Sequence, residues 1–322
     1  MANLFETIKF DGSDELKVKQ FYLASNQTMI IFDSLSPRLK GSFVIAGDTT
    51  KNTFDVESVG ELKSLIFPKE EEIKHRKFHA IKNCVNRGLP VYLYGEAGTG
   101  KNVICKQVAE ELGLDFYFSN SVTQEYKISG YGDAKGEYVP TEFYKAFTKG
   151  GLFMLDELDA SSPEVLILLN AAIANRYFEF PVIGRVNAHE DFRVIAAGNT
   201  CGRGADEVYN GRMQLDGATL NRFAYVEVEY DERIENRLAN NNADLVNFVR
   251  DLRKSSKKAG LPIVLSYRNI SMMTELISMF SIREAMEMAI IKGMPKDDIE
   301  ILYRGLDNRS NQYAEVFYSL SV

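Results

Sequence analysis

Gly95-Glu96-Ala97-Gly98-Thr99-Gly100-Lys101-Asn102 is the stretch from which the rest of this chain can be read. It follows the apolar run Val91-Tyr92-Leu93-Tyr94 and precedes a segment in which Val103, Val108 and Leu112 recur at helical spacing. Glycines between a strand and a helix let the backbone curl around an anion, with N–H groups aimed at it from the helix N-terminus. A lysine in the position of Lys101 then reaches the outer phosphates of a nucleotide. Residues Gly95, Glu96, Ala97, Gly98, Thr99, Gly100, Lys101, Asn102 and Val103 are therefore the candidate phosphate cradle. Asn102 stands where Ser or Thr normally offers a hydroxyl to Mg²⁺. An amide oxygen can ligate a hard cation, but its side chain is one atom longer and Mg²⁺ demands octahedral geometry. The departure leaves nucleotide binding in place and puts the rate of hydrolysis in question.

Two further segments belong with the loop. Gly151-Leu152-Phe153-Met154-Leu155-Asp156-Glu157 is an apolar strand ending in two carboxylates. A strand buried on both faces reads as a continuous apolar run, and acids at its C-terminal end lie where open α/β sheets bind ligands. Asp156 is the candidate Mg²⁺ residue, together with Asn102, and Glu157 the candidate activator of an attacking water. A helix cap or solvated turn would place the same acids there, and residues 161–163 do begin a helix. Val194-Ile195-Ala196-Ala197-Gly198-Asn199-Thr200 is a second apolar strand with a polar end, where Asn199 would hold water or phosphate, or simply form a turn beside Gly198.

Working outward, strand-like runs at 90–94, 115–119, 151–155, 192–197 and 225–228 alternate with helix-like runs, the pattern of a parallel sheet covered by crossover helices. Residues 245–254, 270–280, 282–292 and 296–306 predict helices without strands. Residues 1–68 carry short β-like stretches at 28–32 and 42–46, with turns at Ser36-Pro37 and Gly47-Asp48. The charged run 69–77 reads as the solvated face of a helix that buries Phe78, Ile81 and Val85. The expected organisation is α/β: a small β-rich N-terminal module (1–68), an αβα nucleotide-binding core (69–231) and a helical lid (232–322).

Composition narrows the function classes. The 322 residues admit two compact units, or one with an appendage, at about 150 residues per domain. A net charge of −7 gives phosphate backbones no global attraction and disfavours a nucleic-acid coat protein. Cys84, Cys105 and Cys201 are scattered and odd in number, which disfavours a disulfide framework or zinc module. Charges at Glu6, Lys9, Asp11, Asp14 and Glu15 break any signal-peptide core, and the apolar run 165–174 is too short to span a bilayer. A cytoplasmic location away from membranes is expected. His75, His79 and His189 fit no metal or triad pattern and read as structural; Met272, Met273, Met279, Met286 and Met288 read as core packing of the helical part.

Taken in order, GEAGTGKN (95–102), GLFMLDE (151–157), IAAGNT (195–200), LNRFA (220–224) and LSYRNI (265–270) resemble the AAA+ ATPases, most of all their MoxR-like, dynein-related branch, over roughly residues 70–306. The resemblance implies a P-loop NTPase core with a helical lid, ATP and Mg²⁺ as cofactors, and Lys101, Glu157 and Asn199 in the chemistry, Asn199 as the sensor 1 residue. It also implies that Arg222 corresponds to the arginine finger and Arg268 to the sensor 2 arginine of the lid. Rival readings are a helix-end surface cation for Arg222 and an ordinary salt-bridge residue for Arg268. As partners it implies a homo-oligomer, a hexameric ring, and a separate protein client, such as one bearing a von Willebrand A domain.

Residues 127–138, with four charges and two tyrosines, occupy the place of an insert that in this branch faces the pore or partner; a plain exposed hairpin is the alternative. A second hairpin is expected over residues 177–186. Arg203 and Arg212 flank a Gly-rich loop at 202–211 and receive no role from sequence. A nucleotide-gated scaffold with little hydrolysis, and a nucleic-acid motor lined by Lys127, Lys135, Lys145 and Lys149, remain the competing functions.

Overall fold

This computed structural model describes residues 73–205, 208–261 and 263–321, together with the backbone of five strands before residue 57. The chain divides into two compact units, Met1–Ile73 and Lys74–Val322. In the first, β1 (Thr7–Phe10), β2 (Glu15–Ala24), β3 (Gln27–Phe32), β4 (Phe43–Ile45) and β5 (Asp55–Val56) form one sheet in the order β4-β3-β2-β1-β5. Neighbours are antiparallel except β1 and β5. The stretches expected at 28–32 and 42–46 are β3 and β4. The turns at Ser36-Pro37 and Gly47-Asp48, the boundary at 68 and the start of the charged run lie outside the described residues.

In the second unit, α1 (Phe78–Asn86), β6 (Val91–Tyr94), α2 (Lys101–Glu111) and β7 (Phe116–Ser119) come first. Then follow α3 (Tyr126–Ser129), the hairpin β8 (Tyr131–Gly132) and β9 (Tyr138–Val139), α4 (Glu142–Lys149), β10 (Gly151–Leu155) and α5 (Pro163–Asn175). A second hairpin, β11 (Tyr177–Phe180) and β12 (Gly184–Asn187), precedes β13 (Phe192–Gly198), α6 (Gly217–Leu220) and β14 (Ala224–Glu227). Five of these strands make an all-parallel sheet ordered β14-β6-β13-β10-β7. Burial explains the apolar runs: alternate residues of β10 serve opposite faces. Phe153 and Leu155 join Phe143, Phe147, Leu166 and Leu169 on one face, while Leu152 and Met154 join Phe78, Ile81, Ile104 and Val108 on the other. The chain order reverses around β6, and the ends of β6, β13 and β10 lie side by side, with Tyr94 opposite Gly198 and Leu155 opposite Ala196. That crevice at the C-terminal edge is where such sheets take ligands.

The helical remainder has its own core, with Leu245, Phe248, Leu252, Ile270, Ile299, Leu302 and Phe317 buried together. Its elements are α7 (Glu232–Leu238), α8 (Ala243–Ala259), α9 (Tyr267–Ile277), α10 (Ile282–Met286) running into a π-helical turn (Glu287–Ile291), α11 (Lys296–Arg304) and α12 (Gln312–Ser319). Caps set the boundaries more than periodicity does. Asn242 starts α8 by accepting from Leu245 N, and Gly260, at φ 66°, ends it. Capping boxes at Ser266/Asn269 and Ser281/Glu284 start α9 and α10.

Two expectations are corrected. Over its described part, residues 73–77, the charged run is not helical: α1 begins only at Phe78, after a turn at 76–77 held by Phe78 N donating to His75 O. Lys74 and Arg76 instead pair with Glu111 and Glu229. Of the five methionines, Met273 and Met286 are buried, but Met272, Met279 and Met288 are exposed. His75 is buried with Nε2 against Glu229 O, and burial lowers its pKa.

Candidate functional site

The loop after β6 can curl because glycine stands where no other residue fits. Gly95, Gly98 and Gly100 have φ of 143°, 75° and 85°. A Cβ on Gly95 would lie 2.3 Å from Val228 O, and one on Gly98 would lie 2.4 Å from Ser266 Cβ in the lid. Gly100 caps α2 without any side-chain hydrogen bond. By helix geometry the first N–H groups of α2 are then left for an anion.

Lys101 is only 7% exposed. Its Nζ donates to Gly95 O (2.7 Å), Glu96 O (3.0 Å) and Asn199 Oδ1 (3.2 Å), so the amine sits inside the loop and touches the end of β13. Burial pushes its pKa down to about 8, against the pull of Asp156 and Asp159. Asn102 Nδ2 donates to Asp156 Oδ2 at 2.8 Å, and Asp156 Oδ1 accepts from Glu157 N at 2.9 Å. With the amide nitrogen spent on Asp156, the Asn102 oxygen is the atom left for a cation. Among the described residues no group of three or more His, Cys, Asp or Glu could hold a metal ion. One carboxylate and one amide fit Mg²⁺, which takes one or two protein carboxylates and completes its shell with phosphates and water.

Glu157 adopts φ 52°, ψ 45°, a left-handed conformation that β-carbon sterics disfavour outside glycine. Its Oε1 accepts from Arg212 at 3.1 Å, and Arg212 reaches Asp159 Oδ1 at 3.3 Å. Asp159 is fully buried; its Oδ2 accepts from Asn199 N (3.0 Å), Thr200 N (2.8 Å) and Thr200 Oγ1 (2.9 Å).

Against this geometry stand the known proteins. Residues 90–223 match the family model of the AAA domain, dynein-related subfamily. This segment belongs to the dynein-related AAA family. An uncharacterized protein of Staphylococcus haemolyticus is 24% identical over 237 residues, 66% of this chain and 88% of that protein. One of Staphylococcus aureus is 24% identical over 248 residues, 68% of this chain and 92% of that protein. Similar solved chains include NtrX from Brucella abortus, with 18% identity, a TM-score of 0.41 and 71% of this chain covered. This chain spans 50% of that one. NtrX in complex with ADP is 16% identical with a TM-score of 0.45, covering 75% of this chain and 61% of that one.

The AAA domain thus brings Lys101, Asn102, Asp156, Glu157 and Asn199 to one sheet edge, as the spacing of its motifs implies. The two arginines lie apart from it. Arg222 is exposed after α6, its guanidinium turned back to Ala218 O. Arg268 is exposed on the first turn of α9, next to Tyr267, whose N–H donates to Gly98 O at 3.4 Å. Three contacts escaped the motif reading. Asp159 follows the acidic pair by two residues and received no role from the motifs. Arg212 lies 53 positions from it in sequence. Tyr209, from the same Gly-rich loop, accepts from Ala97 N at 2.8 Å. Only the loop's composition hinted at the last two. A cleft of about 560 Å³ opens beside the AAA phosphate loop, lined by Glu96, Asn199, Arg203, Tyr209, Arg253 and Lys257.

Proposed function

We propose that the chain binds ATP with Mg²⁺ between sheet and lid, hydrolyses it, and assembles into a ring that remodels a separate protein client. The observation that carries this is the meeting of Lys101, the Asn102–Asp156 pair, Asn199 and Glu157 at the ends of three neighbouring strands. ATP as the nucleotide is supported by the match of residues 90–223 to the AAA domain. Lys101 would leave the loop carbonyls for the outer phosphates, and Asn199, already against Lys101, would hold the γ-phosphate or the attacking water. Mg²⁺, held by Asp156 and Asn102, would supply charge neutralisation on the phosphates. Water attacks the γ-phosphorus, its proton passes toward Glu157, and the bond to the bridging oxygen breaks with its electrons staying on ADP. Arg268 from the lid and Arg222 from a neighbouring copy would stabilise the charge spreading over the transferred group.

A polypeptide client is supported by the two hairpins. Tyr126 and Tyr131 stack edge to face and are exposed, as are Val182 and Ile183 at the tip of the other hairpin. The tip of the second hairpin meets strand β8 of the first, since a Cβ on Gly132 would lie 3.0 Å from Val182 Cγ2. Among the described residues no helix is long and apolar enough to cross a membrane.

The test is native mass with and without ATP and Mg²⁺, together with phosphate release. A larger assembly with ATP and steady phosphate release are expected. Lys101→Ala should weaken nucleotide binding about 10- to 100-fold, the size of losing charge-assisted hydrogen bonds. Unchanged mass and no phosphate release would overturn the proposal. A second reading, a nucleotide-gated scaffold, rests on Asn102 alone and expects assembly with ATP left intact over many minutes of single turnover.

A further inference from the structure

We propose that Arg212 is a positioning residue for Glu157, and that buried Asp159 couples it to the Asn199 loop, so that both walls of the phosphate site are set by one side chain. The inference rests on the reading of Glu157 as the carboxylate that takes the water's proton.

Arg212 could serve only to neutralise Asp159, since a buried carboxylate needs a counter-charge. Two observations argue for more. Asp159 Oδ2 is already satisfied by three donors from residues 199 and 200, and Arg212 meets only Oδ1. Glu157 is 37% exposed at its side chain and needs no partner to stay solvated, yet Arg212, 12% exposed, extends its second arm to it. A single planar guanidinium therefore spans two carboxylates two residues apart, and its fork geometry fixes the angle between them.

The same acid that anchors Arg212 anchors the backbone of Asn199 and Thr200, so a shift of the Asn199 loop must pull on Glu157 through Asp159 and Arg212. The loop that carries Arg212 is itself closed at its neck, where Leu215 N donates to Gly202 O at 2.9 Å, and it is tied to the acidic turn by Met213 N donating to Asp159 O at 2.7 Å. Its Tyr209 hydroxyl accepts from Ala97 N of the phosphate loop at 2.8 Å. A γ-phosphate that claims the Ala97 N–H must displace Tyr209, which would report occupancy to the loop that holds Arg212.

The experiment compares wild type with Arg212→Ala and Arg212→Lys in steady-state phosphate release, affinity for a fluorescent ATP analogue, and Tm. Arg212→Ala is expected to lower kcat about 30-fold or more, with KM and affinity within about threefold, as removal of a catalytic carboxylate's support should. One lysine ammonium can neutralise Asp159 but cannot span both acids, so Arg212→Lys should recover Tm without recovering kcat. Should Arg212→Ala fail to fold, Arg212→Lys decides alone. Full recovery of kcat by lysine, kcat within threefold in the alanine variant, or affinity falling in step with kcat would each overturn the inference. Wild type that binds ATP and never hydrolyses it would instead overturn the reading of Glu157, and the inference with it.

Discussion

The inner residues of the site and its outer arginines differ in how the chain holds them. Lys101, Asn102, Asp156, Asp159, Asn199 and Arg212 are linked by hydrogen bonds before any ligand arrives. Arg222 and Arg268 are exposed, and among the described residues neither guanidinium touches that network. A buried charge must be paired or it costs several kcal/mol, so buried Lys101 and Asp159 are held by partners within the chain. A surface arginine has no such constraint and takes its position from whatever comes to it. On the proposed function the site is finished in two stages, the first inside one chain and the second when lid and neighbour close on the phosphates.

Removing an outer arginine is the strongest way to break that division. Arg222→Ala is expected to lower turnover about 10³-fold, the range of an arginine supplied in trans, while nucleotide affinity stays within about threefold. Mixing the variant with a Glu157→Gln chain should restore part of the activity, since each would supply what the other lacks at one interface. Phosphate release from mixed samples measures this. Loss of affinity in Arg222→Ala, or activity independent of protein concentration, would place Arg222 outside any shared site.

The division also explains what the sequence made legible. The phosphate loop could be read because its demands are local: glycines where a Cβ would strike Val228 O or Ser266, and a lysine six residues after Gly95. The strand ends carrying Asp156 and Asn199 could be read because burial on both faces leaves an unbroken apolar run up to the polar residue. Arg212 could not, since its partner lies 53 residues away and only the folded sheet brings them together. Periodicity also misled in the lid, where the spacing of Met272, Met279 and Met288 gave no sign that they face outward. Helix α12 was missed because its buried positions, Tyr313, Ala314 and Phe317, span barely one turn.

The dryness of the inner set can be tested through Lys101. Burial holds its amine down to about 8 in the free chain, and phosphate binding requires the charged form. Below pH 8 the proton is already present and affinity should not depend on this group. Above it, binding must take up a proton, so affinity should fall by up to about tenfold per pH unit until the bound-state value is reached. Calorimetric titration in two buffers of different ionisation enthalpy, from pH 7 to 9.5, would show proton uptake appearing across pH 8. A flat profile without uptake would mean that the lysine is hydrated and charged throughout.

The smallest effect is expected at Asn102, where the inner set departs from the usual hydroxyl. Its amide nitrogen bonds Asp156 at 2.8 Å, the partner that a threonine hydroxyl would also reach for. The amide keeps both functions, donor to the acid and oxygen toward a cation, at the cost of a longer arm. Asn102→Thr should therefore change Mg²⁺-dependent turnover only about two- to fivefold, measured as phosphate release across a Mg²⁺ titration, with the larger share in the Mg²⁺ concentration for half-maximal rate. A jump from no turnover to robust turnover would show that asparagine disables the metal position. The inner set would then be complete for binding and incomplete for chemistry, which is the scaffold reading.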